Sequence, residues 1–391
     1  MSIDRNELLD ILREWSFWDE PPPRSVVRSL SQWTTVDPGV VTVIQGVRRS
    51  GKSTLLAQLT SQFGLSREKC VFVNFEDPRL SQSLHFTILD EILAVATNHI
   101  EGPLIFFLDE IQSVFGWEKW LNARLERPKG HTFIITGSNS QLLGGELATS
   151  LTGRHLTYEV FPFSFKEFLL MKPKASLQQY LQSGGFPGAL QASRPERLLQ
   201  QYFQDIVEKD IRERLGAKSS QPLRSLAQMV LESTGSETSL RRIAGAVGIS
   251  PETASQYINA CENAYLILSC PFFAFSESKR LRHNRKYYSI DTGLRRAVCS
   301  RMSADFGKDF ENLVFLALKK KDLSVFYWRG KGEVDFVVQS KSGITPIQVT
   351  WKEPKPRHEE SLTSFYTEFP FAQEAVFVTP ESYDELVLRD F

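Results

Sequence analysis

The sequence lacks the features that mark secreted, zinc-binding and membrane-spanning proteins. Its four cysteines, Cys70, Cys261, Cys270 and Cys299, form no CxxC pair and lie far apart in mostly apolar surroundings. This argues against both a zinc site and a disulfide framework. No apolar run approaches the ~18 residues of a membrane span, and the charged N-terminus has no signal-peptide core. We therefore expect buried, reduced thiols and a cytoplasmic protein without a membrane partner.

An excess of charge of either sign is also absent. The 391 residues include 46 basic and 46 acidic side chains, so a nucleic-acid surface can only be a local patch. Internal repeats and low-complexity segments are not found either. With 41% hydrophobic and 24% charged residues, the composition is that of a globular protein. The length suffices for roughly two to four domains.

The most specific motif of the chain is VVTVIQGVRRSGKSTLL at 40–56, where a β-branched run meets glycine and then a helix. The spacing of Gly46, Gly51 and Lys52 is typical of a phosphate-binding loop, because glycines let successive N–H groups face one anion. Lys52 is predicted to reach the β- and γ-phosphates of ATP, and Ser53 to ligate Mg²⁺. The alternative is a plain glycine turn. The predicted nucleotide-binding residues of this loop are Gly46, Arg48, Arg49, Ser50, Gly51, Lys52, Ser53 and Thr54.

Two acidic residues follow a second buried run, PLIFFL at 103–108. A buried parallel strand delivers side chains at its C-terminal edge. Asp109 is therefore predicted to hold Mg²⁺ through water, and Glu110 to orient or deprotonate the attacking water. The alternative is an acidic cap on the next helix, since carboxylates are favourable at any helix start.

Three further residues are assigned with an open alternative. Ser138 and Asn139 follow the apolar run 131–136, where they either sense the γ-phosphate or form a plain turn. Arg154 precedes the apolar run 157–161. It either stabilises transition-state charge in a neighbouring subunit or is a surface arginine in a loop.

Helical patterns continue through the middle of the chain. Residues 200–214 mix charges of both signs at i,i+4 spacing and would form the lid of an ATPase. A helix-turn-helix is predicted from a helix at 239–247, a turn at 248–250 and a second helix that Ser250 caps. The residues that this second helix could offer to a DNA groove are Thr253, Ser255, Gln256 and Asn259.

A basic run separates two β-prone segments, 266–275 and 287–290. Five of the eight positions from 279 to 286 are Lys or Arg, which predicts a hairpin wing on DNA phosphates. The alternatives are a protein-interaction module and a solvated loop. The predicted DNA-binding residues are Lys279, Arg280, Arg282, Arg285 and Lys286.

The C-terminal residues carry a second pattern of carboxylates. A metal-dependent nuclease needs such groups on adjacent strands to hold Mg²⁺, with a lysine nearby. The order here resembles the PD-(D/E)XK nuclease fold, with Glu311, Asp335 and Gln348 at its acidic, metal-binding positions. Thr350 stands where that fold usually has its lysine. On a strand, Lys352 would share a face with Gln348, so that Lys352 could take the role of the missing lysine. We expect the fold without cleavage.

Together, these motifs resemble the AAA+ ATPases, and more narrowly the archaeal-type ATPases found across archaea and bacteria. The likeness rests on GVRRSGKSTLL at 46–56, FFLDEIQ at 106–112, IITGSNSQLL at 134–143, LTGR at 151–154 and FPFSFKEFL at 161–169. It continues through GGFP at 184–187, YFQDIVEKDI at 202–211 and YYSIDTGLRRAV at 287–298. The resemblance places Arg154 at the arginine-finger position, and it implies a homo-oligomer such as a hexameric ring.

The predicted fold class is α/β, a P-loop AAA+ ATPase core with helical lid, winged helix and C-terminal restriction-endonuclease-like α/β domain. The predicted limits are 1–35 for an N-terminal helical segment with an amphipathic helix at 4–15, 36–165 for the core, 166–218 for the lid, 219–292 for the winged helix and 293–391 for the nuclease-like domain. We expect ATP hydrolysis coupled to DNA remodelling or translocation, on branched or recombining DNA. The alternatives are an ATP-gated, metal-dependent nuclease and a nucleotide switch in signalling or defence.

Overall fold

A computed structural model of the chain describes residues 3–16, 28, 39–127, 129–143, 153–299 and 306–391. The chain forms two compact units, Met1–Val160 and Phe161–Phe391. None of the helices in the described ranges has the length and apolar character that a bilayer crossing requires.

The N-terminal unit is built on a sheet of five parallel strands in the order β2-β3-β4-β1-β5. Its strands are β1 (Val41–Gln45), β2 (Cys70–Asn74), β3 (Ile105–Asp109), β4 (Thr132–Gly137) and β5 (His155–Glu159). Its helices are α1 (Arg5–Trp15), α2 (Lys52–Gln62), α3 (Thr87–His99) and α4 (Trp117–Glu126), with 3₁₀ turns at Arg67–Lys69, Pro78–Leu80, Ile111–Ser113 and Ser140–Leu143. Neighbouring residues on a strand point to opposite faces of the sheet and belong to different apolar clusters. Val43 and Phe106 belong to one cluster, and Ile44 and Phe107 belong to the other. The predicted buried parallel strands are confirmed.

The amphipathic helix predicted at 4–15 is confirmed as α1. The side chain of Asp4 caps it by accepting hydrogen bonds from Asn6 N and Glu7 N. Leu8, Ile11 and Leu12 are fully buried in the apolar cluster of the sheet. The remaining residues of the predicted 1–35 segment, apart from 3–16 and 28, lie outside the described residues.

The C-terminal unit contains two sheets, one with the strand order β12-β11-β10-β9 and one with the order β6-β8-β7. The strands are β6 (Glu237–Thr238), β7 (Ile267–Cys270), β8 (Arg285–Ser289), β9 (Ser324–Arg329), β10 (Glu333–Ser340), β11 (Gly343–Val349) and β12 (Val376–Val378). Pairing is antiparallel except between β11 and β12.

The helices of this unit begin directly after its boundary and continue to the last residues of the chain. They are α5 (Phe165–Met171), α6 (Leu177–Ser183), α7 (Pro187–Gln191), α8 (Pro195–Asp205), α9 (Glu213–Leu215), α10 (Gln221–Glu232), α11 (Leu240–Val247), α12 (Pro251–Asn263), α13 (Glu277–Arg282), α14 (Thr292–Val298), α15 (Gly307–Lys319), α16 (Pro356–Glu368) and α17 (Tyr383–Leu388). A π-helical segment, Ile206–Arg212, joins α8 to α9. It carries the predicted pair of Glu208 and Arg212, whose charged atoms lie 2.5 Å apart.

The predicted helix-turn-helix is present in α11 and α12. Ser239 caps α11 by accepting from Arg242 N, and Gly248 ends it in the left-handed conformation at φ 77°. Ser250 Oγ then accepts from Thr253 N at 3.1 Å, with Pro251 at the first helical position of α12. Local capping chemistry therefore explains both helices and the turn between them.

The β-prone segments on either side of the basic run pair antiparallel as β7 and β8, as a hairpin requires, but the connection between them is not the plain basic tip that the prediction assumed. The first half of the run, 279–282, lies in α13, which Ser276 caps by accepting from Lys279 N. The last two residues of the run belong to β8, where Lys286 pairs with Cys270 of β7 and with Glu237 of β6. The sequence pattern missed α13 because a short capped helix within a charge run has no apolar period to reveal it.

One apolar cluster of the C-terminal unit joins three of the predicted domains. Its members come from the predicted lid, the predicted winged helix and the predicted nuclease-like region, for example Phe168, Phe273, Tyr288, Phe310 and Phe336. The predicted limits at 218 and 292 therefore lie within one compact unit. All four cysteines of the chain are buried thiols outside any disulfide, as predicted, and burial raises the pKa of Cys261 to about 12.

The GGFP motif and the DTGLRR motif meet around one buried carboxylate. Asp291 accepts hydrogen bonds from Gly185 N at 2.6 Å and Leu294 N at 2.7 Å. Burial raises the pKa of Asp291 to about 6. Gly184 has a φ of 69°, and a Cβ built on it would lie 2.1 Å from the Asp291 carboxylate. The paired glycines thus make room for a carboxylate that caps α14.

We expect Gly184→Ala to destabilise the C-terminal unit by about 1–3 kcal/mol more than Gly216→Ala. Both glycines have a positive φ, but a Cβ on Gly216 would meet no atom within 4 Å. Gly184 has a ψ of −168°, whereas Gly216 has a ψ of 25°. The difference between the two variants therefore reports the clash with Asp291 together with the backbone strain at Gly184. Urea unfolding measures it, and equal losses of stability would show that the carboxylate moves aside.

Candidate nucleotide site

A six-residue loop, 46–51, joins the end of β1 to the start of α2. Gly46 has a φ of 153°, and a Cβ on it would lie 2.1 Å from Val160 O, so only glycine fits. Gly51, at φ 96°, precedes α2 without a side-chain cap. The first N–H groups of this helix and its positive dipole end therefore face the loop. This is the strand-loop-helix arrangement that the sequence predicts.

Lys52 is the first residue of α2, and its side chain turns back into the loop. Its Nζ donates to Gly46 O at 3.0 Å and to Val47 O at 3.2 Å. The same ammonium lies 3.8 Å from Glu110 Oε1. Lys52 is buried, so its positive charge is held inside the loop, next to the carboxylate of Glu110 directly after β3.

A buried hydroxyl in the loop lacks a partner. Ser50 Oγ is fully enclosed and makes no hydrogen bond within the described ranges, while Ser50 O accepts one from the buried Arg28. Such an orphaned group is costly unless a ligand or water satisfies it. The next residues of the helix, Ser53 and Thr54, are exposed and can reach a ligand at the helix start.

Asp109 ends β3, and its carboxylate accepts a hydrogen bond from the hydroxyl of Thr136 on β4. Burial raises the pKa of Asp109, and the neighbouring Glu110 adds to the rise. The ion pair of Lys52 with Glu110 brings the end of β3 to the start of α2, as predicted.

Glu110 adopts a left-handed backbone conformation, with a φ of 55°. Glu110 N donates to Thr136 Oγ1 at 3.0 Å, and its carboxylate accepts from Gln112 Nε2. Its side chain makes no capping bond to the 3₁₀ turn that follows, so the alternative of an acidic cap is wrong for Glu110. A non-glycine residue in this conformation is strained, and such strain is common where a side chain is aimed for function.

Thr136 was not predicted as a site residue. Its hydroxyl donates to Asp109 and accepts from Glu110 N, and it is fully buried. The chain residues after it, Ser138 and Asn139, are buried at the same edge of the sheet. That Ser138 and Asn139 sense the γ-phosphate stays a prediction, with a plain turn as its alternative.

The three arginines predicted around the nucleotide take different positions. Arg48 pairs with Glu76 at 2.9 Å, and Arg49 is exposed at a φ of 67°. Arg154 is exposed and precedes β5, whose first residue, His155, pairs with Val41 at the start of β1. Because β5 is five residues long, Arg154 lies about 16 Å from the loop edge of the sheet. It cannot reach the loop of its own chain.

The residues at the loop suit a nucleotide with Mg²⁺. The Ser53 hydroxyl at the start of α2 and the Asp109 carboxylate at the end of β3 are the kind of oxygen ligands that Mg²⁺ prefers. A cation held by one carboxylate, one hydroxyl, water and phosphate needs no larger cluster of protein ligands. Lys52 and the N-terminus of α2 supply the positive field for the phosphates.

Lys286 lies in the interior of the C-terminal unit, so its prediction as a DNA contact is wrong. It is fully buried, and its Nζ lies 2.5 Å from Glu333 Oε1 and 3.7 Å from Glu311 Oε1. Burial opposes its charge, but these two carboxylates and Asp335 outweigh burial and raise the pKa of Lys286. The ammonium of Lys286 is paired with these carboxylates inside the unit and is not available at the surface.

The predicted nuclease-like residues lie around this cluster but bind one another or the backbone. Asp335 Oδ2 accepts from Val349 N at 2.8 Å, and Gln348 Nε2 donates to Glu333 O at 2.8 Å. Burial raises the pKa of Asp335 to about 8, with Glu311 adding to the rise. Within the described ranges, no group of three or more His, Cys, Asp or Glu side chains has a geometry that could hold a metal ion.

The expected replacement of the nuclease lysine by Lys352 is wrong. Strand β11 ends at Val349, and Thr350 Oγ1 then donates to Lys352 O in a tight turn. Lys352 is exposed beyond the strand and shares no strand face with Gln348. The alternation that the prediction assumed stops one residue before Thr350.

The other predicted DNA contacts are unequally available. Lys279 pairs with Glu368 at 2.8 Å. Arg280 lies over the Phe326 ring at 4.7 Å and donates to Ala274 O. Arg282 and Arg285 are exposed.

Comparisons with known proteins find a family match for the N-terminal unit that agrees with its phosphate-binding loop and parallel sheet. The AAA domain family matches residues 39–169. Two domains of unknown function, DUF8612 and DUF4143, match residues 174–305 and 306–387. The match to the crystal structure of Cdc6p from Pyrobaculum aerophilum covers 67% of this chain and 86% of the Cdc6p chain, at 14% identity and a TM-score of 0.29. A TM-score this low supports no conclusion about this chain.

Two curated relatives match along most of their length. An uncharacterized protein of Haemophilus influenzae is 33% identical over 342 residues, which is 83% of this chain and 85% of the relative. The uncharacterized protein MJ1544 of Methanocaldococcus jannaschii is 33% identical over 356 residues, 84% of this chain and 78% of the relative. With its phosphate-binding loop, its parallel sheet and its AAA domain, the chain belongs to the P-loop AAA+ ATPase family together with these two relatives.

Proposed function

We propose that this chain is an archaeal-type AAA+ ATPase that hydrolyses ATP with Mg²⁺ and uses the turnover to remodel or translocate DNA. The observation that carries the proposal is the convergence of Lys52, Asp109 and Glu110 at one edge of the parallel sheet. A cation, an oxygen ligand and a candidate base there stand next to an uncapped helix N-terminus. This is the set of groups that phosphoryl transfer from ATP to water requires.

Each residue of the site has a separate role in the proposed reaction. Lys52 leaves the carbonyls of Gly46 and Val47 and binds the β- and γ-phosphates, where it neutralises developing charge. Ser53 and Asp109 hold Mg²⁺, which when bound supplies Lewis-acid stabilisation of the phosphate oxygens. The Ser50 hydroxyl gains the partner that it lacks within the described residues.

Glu110 is proposed to orient the attacking water and accept its proton. Thr136 holds its backbone and Gln112 holds its carboxylate, so the side chain cannot swing freely. Preorganisation of this kind lowers the entropy cost of bringing water in line with the γ-phosphate. Gln112 and Thr136 are positioning residues in this scheme.

We expect Glu110→Gln to lower kcat for ATP hydrolysis by on the order of 10²–10⁴, with ATP still bound, because the proton acceptor is lost. Lys52→Ala should abolish ATP binding itself. Glu101→Gln, an exposed glutamate in the same unit, serves as the matched control. Phosphate release and fluorescent-nucleotide binding measure the two effects. Full turnover in either site variant would refute the proposed chemistry.

Arg154 is proposed to act on the nucleotide of a neighbouring copy. It is exposed and lies at the edge of the sheet opposite to the loop, so only a second chain can bring it to the phosphates. Its guanidinium would stabilise transition-state charge across the subunit contact. A homo-oligomer, such as a hexameric ring, follows from this assignment.

Mixing Lys52→Ala chains with Arg154→Ala chains should restore part of the ATPase activity that each lacks alone. Some contacts in the mixture pair an intact Lys52 with an intact Arg154. Activity should follow the mixing ratio and reach its maximum near equal amounts. A mixture that stays as inactive as its components would rule out action in trans.

DNA is the proposed partner of the C-terminal unit. Gln256 and Asn259 are exposed on α12, the second helix of the helix-turn-helix, and Arg282 and Arg285 are exposed nearby in sequence. Since the acidic and basic residues of the chain balance, such local cations are what a phosphate backbone can bind. Lys286 is no part of this surface, and Lys279 and Arg280 are engaged elsewhere.

Duplex, single-stranded or branched DNA should stimulate ATP turnover, and Arg282→Glu with Arg285→Glu should reduce that stimulation. The double variant should also bind DNA with a shallower dependence on salt, because it releases fewer counterions. Arg194→Glu with Arg197→Glu, two exposed arginines on and before α8, is the matched control. Turnover that responds to none of these DNAs would favour a nucleotide switch over a motor.

A further inference from the structure

A cavity of about 1130 Å³ in the C-terminal unit opens over the carboxylate cluster. Glu311, Glu333 and Asp335 lie on its wall, together with Gln348. Five basic side chains line the same cavity: Lys308, Lys331, Lys352, Lys355 and Arg357. The cavity is large enough for a ligand and is not used by the proposed ATP chemistry.

Lys286 reaches this cluster from β8, a strand of the other sheet. Its Nζ lies 2.5 Å from Glu333 Oε1 and 3.7 Å from Glu311 Oε1, and its side chain has no exposed surface. It also lies 5.3 Å from the centre of the Tyr327 ring. The ammonium is therefore enclosed, paired and held in one place.

The remaining groups of the cluster are turned toward protein donors. Tyr288 OH donates to Glu311 Oε1 at 2.7 Å, and Val349 N donates to Asp335 Oδ2 at 2.8 Å. The amide nitrogen of Gln348 points to Glu333 O. One oxygen of Glu311 and one oxygen of Asp335 thus already accept a hydrogen bond from the protein.

We propose that the Lys286 ammonium is a built-in counter-ion that takes the place of a divalent cation in this cluster. The cavity then binds no divalent metal and leaves phosphodiesters intact. Lys286 differs from a lysine that stands beside a bound metal, because its Nζ is itself paired with Glu333 Oε1 and Glu311 Oε1. A divalent ion on those oxygens would have to displace a fixed positive charge. The metal that the nuclease resemblance implies does not fit the residues present.

The first test is a Mn²⁺ titration of the full chain without nucleotide, followed by electron paramagnetic resonance. The wild-type chain and Asp335→Asn should bind the same amount of Mn²⁺, because Asp335 holds no metal in the wild-type chain. Lys286→Met, which keeps an unbranched side chain without charge, should gain one Mn²⁺ per chain. Adding Asp335→Asn to it should abolish the gained site. Lys352→Met, which removes an exposed lysine from the same cavity, should gain none.

A second variant covers the case in which Lys286→Met does not fold. Lys286→Met with Glu333→Gln keeps the net charge of the cluster and should also gain a Mn²⁺ site that depends on Asp335. Thermal unfolding with and without Mn²⁺ reports folding and binding together. A folded variant that gains no site would overturn the proposal.

Plasmid cleavage gives an independent readout. Supercoiled DNA incubated with the wild-type chain and Mg²⁺ or Mn²⁺ should stay intact. Nicking that Asp335→Asn removes would overturn the proposal, because Lys286 would then assist a bound metal. Since ATP turnover belongs to Lys52 and Glu110, these outcomes are distinguishable from failure of the proposed ATPase function.

Discussion

The candidate site depends on the parallel register of one sheet. Gln45 pairs with Gly137 and Leu108 with Ile135, so β1, β3 and β4 end at the same edge. Apolar side chains fill most of β1, β3 and β4, and the polar groups of the site lie where these strands end. The hydroxyl of Thr136 then joins Asp109 to the backbone of Glu110. Without that common edge, the loop and the carboxylates would have no shared location.

Local chemistry was the part of this structure that sequence could predict. Glycine spacing, helix caps and apolar runs located the loop, the ends of the strands and the helix-turn-helix, because each depends on a few neighbouring residues. Thr136 escaped notice because its role depends on register between two strands. Its partner Asp109 lies 27 positions away along the chain. Nothing in the run HTFIIT distinguishes this threonine from an ordinary strand residue.

Lys286 shows the converse error. Within its charge run it looks like one of five surface cations, and only the fold reveals its partners. Glu333 lies 47 positions later, on a strand of another sheet. A buried lysine needs compensation of this kind, and the carboxylates of a nuclease-like pattern provide it. The same pairing explains why Lys286 is not available as a DNA contact and why Glu311 and Glu333 already have a cationic partner.

The proposed action of Arg154 in a neighbouring copy has a consequence for assembly. The arginine and the loop lie at opposite edges of the sheet, so a head-to-tail contact uses a different surface on each of the two copies. An open row of n copies then completes n − 1 catalytic centres, whereas a closed ring completes all n. Closure would thus convert the one idle terminal copy into a working member, and specific activity would report the geometry of the assembly.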